Sequence, residues 1–179
     1  MLHPLDKFKY CPSCGSDDFV INDNHSKRCG KCGFTYYHNA SAATVAVIVN
    51  DKRELLVARR AFEPAKGTLD LPGGFVEPGE AIEVGCIREV KEETGARAEI
   101  DRYLFSLPNT YRYSGFDVHT ADSFFLCHLV EGQEVHPSDD AAELTWVPFA
   151  EVRPDLFGLG SVRAGVKRLL DLLENTNTL

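Results

Sequence analysis

The sequence predicts an α/β domain, a mixed sheet sandwiched between helices, preceded by a small turn-rich segment. Three observations point there. Strand-prone runs such as "SAATVAVIV", "ELLVAR" and "DSFFLCHLV" are spread along the chain rather than gathered at one end. Two amphipathic helical stretches, residues 80–94 and about 161–174, lie among and after them. Four of the six cysteines fall within the first 38 residues, where apolar residues are sparse. A chain of 179 residues has room for one ordinary domain and a small appendage. The expected division is therefore 1–38 and 39–179.

Each element has a local reason. "SAATVAVIV" contains the longest apolar run, far short of the roughly 20 residues a membrane span needs, so it reads as a buried strand. "ELLVAR" follows the turn "NDKRE", and the two strands are expected to form a hairpin. "AFEPAKGTLDLPGG" carries Pro and Gly at intervals that forbid a helix and reads as a loop ending in a short strand. In residues 80–94, Ile82, Cys86 and Val90 recur every four positions, and Gly95 stops the helix. "AEIDRYLFSL" and "DSFFLCHLV" read as strands, with "PNTYRYSGFDVHTA" as the loop between them, and "ELTWVPF" as a closing strand. The last helix places Val162, Val166, Leu169 and Leu170 on one face. Cys86 and Cys127, on apolar faces, read as core residues.

Charge narrows the function. Nineteen basic against twenty-seven acidic side chains give a net charge of -8, which opposes attraction to nucleic acid or to an anionic membrane. An anionic small molecule would need local cations instead. The N-terminal stretch "MLHPLDKFKYCPSC" has no apolar core of the secretory kind, so a cytoplasmic, reducing location is expected.

"CPSCG" and "CGKCG" are two Cys-x-x-Cys turns separated by fourteen residues, each followed by glycine. Four thiolates on two tight turns suit a closed tetrahedral zinc site. Cys11, Cys14, Cys29 and Cys32 are the expected ligands, with a structural role because no position stays open. Residues 1–38 hold five Lys and Arg against four Asp and Glu, which offers no basic patch. This ribbon is expected to pack on the main domain or to mediate homodimer contact.

"IREVKEETGA" sets Glu89, Glu92 and Glu93 three and four residues apart on one helix, so their carboxylates crowd a single face. A hard cation such as Mg2+ or Mn2+ would relieve that repulsion and could hold phosphates. The stretch from Gly74 satisfies the pattern G-x(5)-E-x(7)-R-E-U-x-E-E-x-G-U, where U is small or aliphatic. The matching residues are Gly74, Glu80, Arg88, Glu89, Val90, Glu92, Glu93, Gly95 and Ala96. This resembles the box of the Nudix hydrolases, and with the ribbon and "ELTWVPFAEV" the resemblance covers nearly the whole chain. The NADH pyrophosphatase-like branch has the most similar architecture.

The resemblance implies an α/β/α sandwich that hydrolyses a nucleoside diphosphate linked to another group. It implies that Glu89, Glu92 and Glu93 bind the divalent metal, assisted by the carbonyl of Gly73 or Gly74. Arg88 would orient these carboxylates by pairing with Glu80, and Glu92, Glu93 or a later Glu143 would be the base. Substrate choice falls to "SLPNTYRYSGF", which keeps Ser106, Pro108 and Ser114 of the NADH-type array but not its Gln, Trp and remaining prolines. Tyr111 and Tyr113 are candidates to stack on adenine, and Arg112 to meet phosphate. Arg59 and Arg60 are further phosphate candidates, of which strand alternation turns one to solvent. NAD(H), ADP-ribose and dinucleoside polyphosphates all remain open as substrates. The alternative class is a ligand sensor that keeps the pocket without hydrolysis and uses the ribbon for nucleic acid or protein.

Overall fold

A computed structural model describes residues 3–137 and 141–176. The chain divides into two compact units between Ala40 and Ser41. In the first, β1 (Phe19–Ile21), β2 (Ser26–Cys29) and β3 (Thr35–Tyr37) form an antiparallel sheet. Phe19, Cys11 and Cys29 make its small core. The two cysteine turns repeat one geometry. Gly15 N–H donates to Cys11 O and Gly33 N–H to Cys29 O, and both glycines take positive φ (70° and 77°), where a side chain would be strained.

The second unit contains two three-stranded sheets. One orders β4 (Ser41–Ile48), β8 (Phe116–Leu129) and β7 (Ala98–Tyr113), with β4 and β8 parallel and β8 and β7 antiparallel. The other orders β6 (Leu69–Asp70), β5 (Glu54–Arg60) and β9 (Ala141–Pro148), all antiparallel. Alternation along the central strands feeds two cores. Val45, Val47, Leu55, Val57, Phe124 and Leu126 face α2 (Gly160–Thr176), which supplies Val162, Val166 and Leu169. Ala46, Ile48, Leu56, Phe125 and Cys127 face α1 (Ile82–Thr94), which supplies Cys86 and Val90. Strands buried on both faces thus read as unbroken apolar runs, and the layers are helix, sheet, helix.

Three expectations need correction. β4 and β5 do not form a hairpin: an isolated bridge, Val49–Leu55, lies just past the end of β4, and the two strands belong to different sheets. Each strand is buried on both faces, so each needs its own set of neighbours. "PNTYRYSGFDVHTA" is not a loop either, because β7 and β8 continue through it as a long hairpin turning at Ser114 and Gly115. Their φ values of 50° and 70° match the two-residue turns that suit strand twist, and Pro108 is tolerated because β7 is an edge strand. Finally, the apolar stripe of α1 starts at Cys86, since Ile82 at the helix start is exposed.

Candidate active site

The glycine-rich segment before α1 is fixed by main-chain bonds to β4. Ala46 N–H donates to Pro72 O (2.7 Å), Thr44 N–H to Gly74 O (2.8 Å) and Val76 N–H to Ala42 O (3.1 Å). This ladder leaves the Gly73 carbonyl unused. The approach is too close for side chains. A Cβ on Gly73 would lie 2.1 Å from Thr44 O, and one on Gly74 would lie 2.6 Å from the carboxylate of Glu89.

Arg88 ties the acids together. Its Nε and Nη2 donate to the two oxygens of Glu80, each at 3.0 Å. Nη1 donates to Glu89 (2.8 Å) and Glu92 (2.9 Å), and Nη2 also reaches Phe75 O (2.9 Å). Glu93 instead accepts from Gly73 N–H at 3.1 Å. Those contacts move the ionisations apart. The Arg88 bond holds Glu80 below the usual carboxylate value and Arg88 itself is raised, chiefly by Glu80. Burial pushes Glu89 up, with the charges of Glu92 and Glu80 adding to it.

Two cavities adjoin this loop. One, of about 470 Å3, is lined by Arg88, Glu89, Glu77 and Phe62. The other, of about 540 Å3, extends between β7, β8 and the start of α2 and includes Tyr111, Tyr113, Thr120, Asp122 and Val162. Arg60, Glu63, Gly73, Gly74 and Phe75 line both. A carboxylate-bearing crevice thus opens beside a larger, mostly apolar pocket with Arg60 at the junction.

The remaining expected residues separate by strand parity. Arg60 turns inward, where it donates to Asp70 and to Pro64 O, while Arg59 turns outward to Glu143 (3.2 Å) and Gly67 O (2.9 Å). Tyr111 and Tyr113 reach the larger cavity, and burial pushes the Tyr111 hydroxyl up. Arg112, between them, points away and pairs with Asp117 at 2.8 Å, so the structure does not bring it to the cavity. Glu143 lies on strand β9 rather than a loop, is paired with Arg59 and lines neither cavity.

Four residues escaped the sequence reading: Glu63, Asp70, Thr120 and Asp122. Asp70 is buried, and that burial raises its pKa against the opposing charge of Arg60. Asp122 and Thr120 had a visible mark in "HTADSFFL": they share strand parity with the buried Phe124, so two polar side chains stand in the inward register.

In the first unit, the four Sγ atoms of Cys11, Cys14, Cys29 and Cys32 lie within 4.8 Å of one another, with Cys11–Cys32 and Cys14–Cys29 both at 3.7 Å. Tetrahedral zinc with bonds of about 2.3 Å sets its sulfurs about 3.8 Å apart. The quartet fits that ion. The amide of Cys32 brings Cys29 down to about 7. Cys14 is pushed up to about 12 by the crowded sulfurs despite a lowering bond from the Ser16 amide.

The comparisons with known proteins agree with this architecture. A family model described as the NUDIX domain matches residues 39–169. The NAD-capped RNA hydrolase NudC of Vibrio atlanticus (strain LGP32) is 27% identical over 176 residues, covering 97% of this chain and 59% of that protein. The NudC of Chromobacterium violaceum is 39% identical over 99 residues, covering 55% of this chain and 36% of that one. The chain spans about half the length of the curated relatives it matches. Among solved structures, a NUDIX hydrolase from Nitrosomonas europaea has the same fold, with a TM-score of 0.75 at 22% identity over 94% of this chain and 93% of that one. The MutT protein from Methanosarcina mazei Go1 gives 0.61 at 26% identity, covering 76% and 96%. With its box on α1, its two-cored sandwich and a family model matching most of its length, the chain belongs to the NUDIX domain family.

Proposed function

We propose that this chain is a divalent-metal-dependent pyrophosphohydrolase that cleaves the diphosphate of an adenine-containing dinucleotide or nucleotide-sugar to a nucleoside monophosphate. The observation that carries it is the junction of the acidic crevice and the larger, mostly apolar cavity across Arg60 and the Gly73–Gly74 turn. A diphosphate seated at that junction would have its nucleoside in the larger cavity and its scissile bond beside Glu89.

The donor chemistry of this helix face suits Mg2+ or Mn2+, although among the described residues the cysteine quartet is the group whose ligand atoms already gather as at a metal site. Glu89, Glu92 and Glu93 offer hard oxygen ligands, the Gly73 carbonyl is unused by the β4 ladder, and the missing Cβ of Gly74 makes room for Glu89. When bound, the metal supplies charge neutralisation at the phosphates and a water of lowered pKa. The chain does the rest. Arg88, anchored by Glu80, holds Glu89 in the crevice and pairs with the more exposed Glu92 at its rim, and Gly73 N–H holds Glu93; Glu92 and Glu93 flank the crevice without lining it. Arg60 stands where it can meet a phosphate oxygen. Glu92 and Glu93 remain the candidate bases for the attacking water, whereas the Arg59 pair keeps Glu143 aside. Zinc in the cysteine quartet is structural.

Purified protein with Mg2+ or Mn2+ is expected to release a nucleoside monophosphate from at least one of NAD(H), ADP-ribose, a diadenosine polyphosphate or NAD-capped RNA. No release from any would end the hydrolytic reading, and binding without release would favour a ligand sensor. Glu93→Gln is expected to remove most turnover with an unchanged far-UV spectrum.

A further inference from the structure

The larger cavity has polar atoms in its wall that nothing among the described residues satisfies. Val118, Thr120 and Asp122 of β8 share the register of Phe124 and line the cavity beyond that core residue. Thr120 and Asp122 are only 4% and 5% exposed, and among the described residues Thr120 Oγ1 and Asp122 Oδ1 have no hydrogen-bond partner. The other carboxylate oxygen of Asp122 accepts from Ser161 Oγ in the first turn of α2. Thr44 Oγ1 also lacks a partner among the described residues, but it has the opposite register on β4.

The charges around this wall leave Asp122 uncompensated. Arg60 is held by Asp70 and the Pro64 carbonyl, and Glu63 adds a further acid. Among the described residues no cation pairs with Asp122. A buried carboxylate oxygen without a donor is costly, so the wall is prepared for a donor that arrives with a ligand. The Thr120 hydroxyl can donate as well as accept. Tyr111 and Tyr113 add aromatic surface from β7.

We propose that Asp122 and Thr120 form a recognition edge for an amino group standing next to an acceptor on a heteroaromatic ligand. The amino N–H donates to Asp122 Oδ1, and the Thr120 hydroxyl donates to the neighbouring acceptor. This deepens the hydrolytic reading and rests on it only for the choice of ligands. Two moieties of a dinucleotide carry such a pair: adenine, with its amino group beside a ring nitrogen, and the nicotinamide carboxamide. Replacing either amino group by oxygen sets an acceptor against the carboxylate.

The test uses the full chain and three ligands: NAD+, its hypoxanthine analogue and its nicotinic acid analogue. Binding is measured by calorimetry without added magnesium or manganese, and kcat/KM separately with magnesium. One analogue is expected to bind at least about tenfold more weakly than NAD+, and that analogue identifies the moiety seated on Asp122. Asp122→Asn retains an acceptor for Ser161 and adds a donor, so discrimination should fall to within about threefold. Thr120→Val should weaken NAD+ about five- to tenfold. Equal affinity for all three ligands overturns the proposal, as does a uniform loss in both variants. If Asp122→Asn is unfolded by circular dichroism, parental NAD+ affinity in Thr120→Val overturns it. Discrimination in binding without turnover refutes hydrolysis alone; turnover without discrimination refutes the recognition edge alone.

Discussion

Gly74→Ala is a clean perturbation of the acidic crevice. Gly74 does not take a positive φ, so alanine meets no backbone strain and the effect is steric. The new methyl would stand 2.6 Å from Cδ, Oε1 and Oε2 of Glu89, where ordinary contact begins near 3.4 Å. The carboxylate must therefore retreat by about 0.8 Å, the difference between those two distances. It is 16% exposed and held at 2.8 Å by Arg88 Nη1, so retreat breaks a charge-assisted bond. Such bonds contribute about 1.5–3 kcal/mol, reduced here to roughly 1–2 because Arg88 is partly solvated and keeps Glu80. At about 2–4 °C per kcal/mol, Tm should fall by roughly 2–8 °C. Misplacing a reacting group by about 1 Å can cost on the order of 100-fold in rate, and kcat/KM should fall by that order. The assays are differential scanning calorimetry, nucleoside monophosphate release and a magnesium titration, whose midpoint should rise. Parental values in all three would show that Glu89 does not rest against Gly74 and that the crevice is wrongly drawn.

Other predictions test separate features. Metal analysis should find about one zinc per chain, and Cys14→Ser should lower that content and expose the first unit to proteolysis; a folded, zinc-free parent would refute the quartet. Arg88 holds the Glu80 carboxyl below its ordinary value of 4.5, so the pair stabilises the fold fully above that value and is lost as pH falls through the depressed one. Glu80→Gln should accordingly lower Tm near neutrality and flatten its acid dependence below about pH 4.5, where an unchanged acid limb would contradict the assignment. Arg112→Ala removes an exposed pair with Asp117, worth at most about 1 kcal/mol, and kcat/KM should stay within about twofold. A large loss would place Arg112 at substrate after all.

How far the sequence could be read depends on how local each feature is. The α1 carboxylates sit three and four residues apart, and helix periodicity alone sets them on one face. The cysteine turns are equally local, each closed by a glycine of positive φ. "TYRYSGFDVH" is different. Alone it reads as a loop, with Tyr and Arg interleaved and Ser-Gly at its centre. It becomes strand because β7 and β8 pair from Ala98–Leu129 out to Tyr113–Phe116, with register shifts at Asp101 and Leu104 and an unbroken register through this stretch. That pairing sends Tyr111 and Tyr113 to the cavity and Arg112 to solvent.

By itself the sequence determined the two-helix α/β class, the zinc-fitting quartet and the acid-bearing helix, since short-range spacing and backbone geometry specify all three. Tertiary structure decided that β4 and β5 part into different sheets, that Arg60 rather than Arg59 faces the crevice, and that Asp122 reaches across thirty-nine residues to Ser161. These depend on which strands pair and in what register. A one-residue slip would turn every side chain to the opposite face, and no spacing within a single strand records its partner.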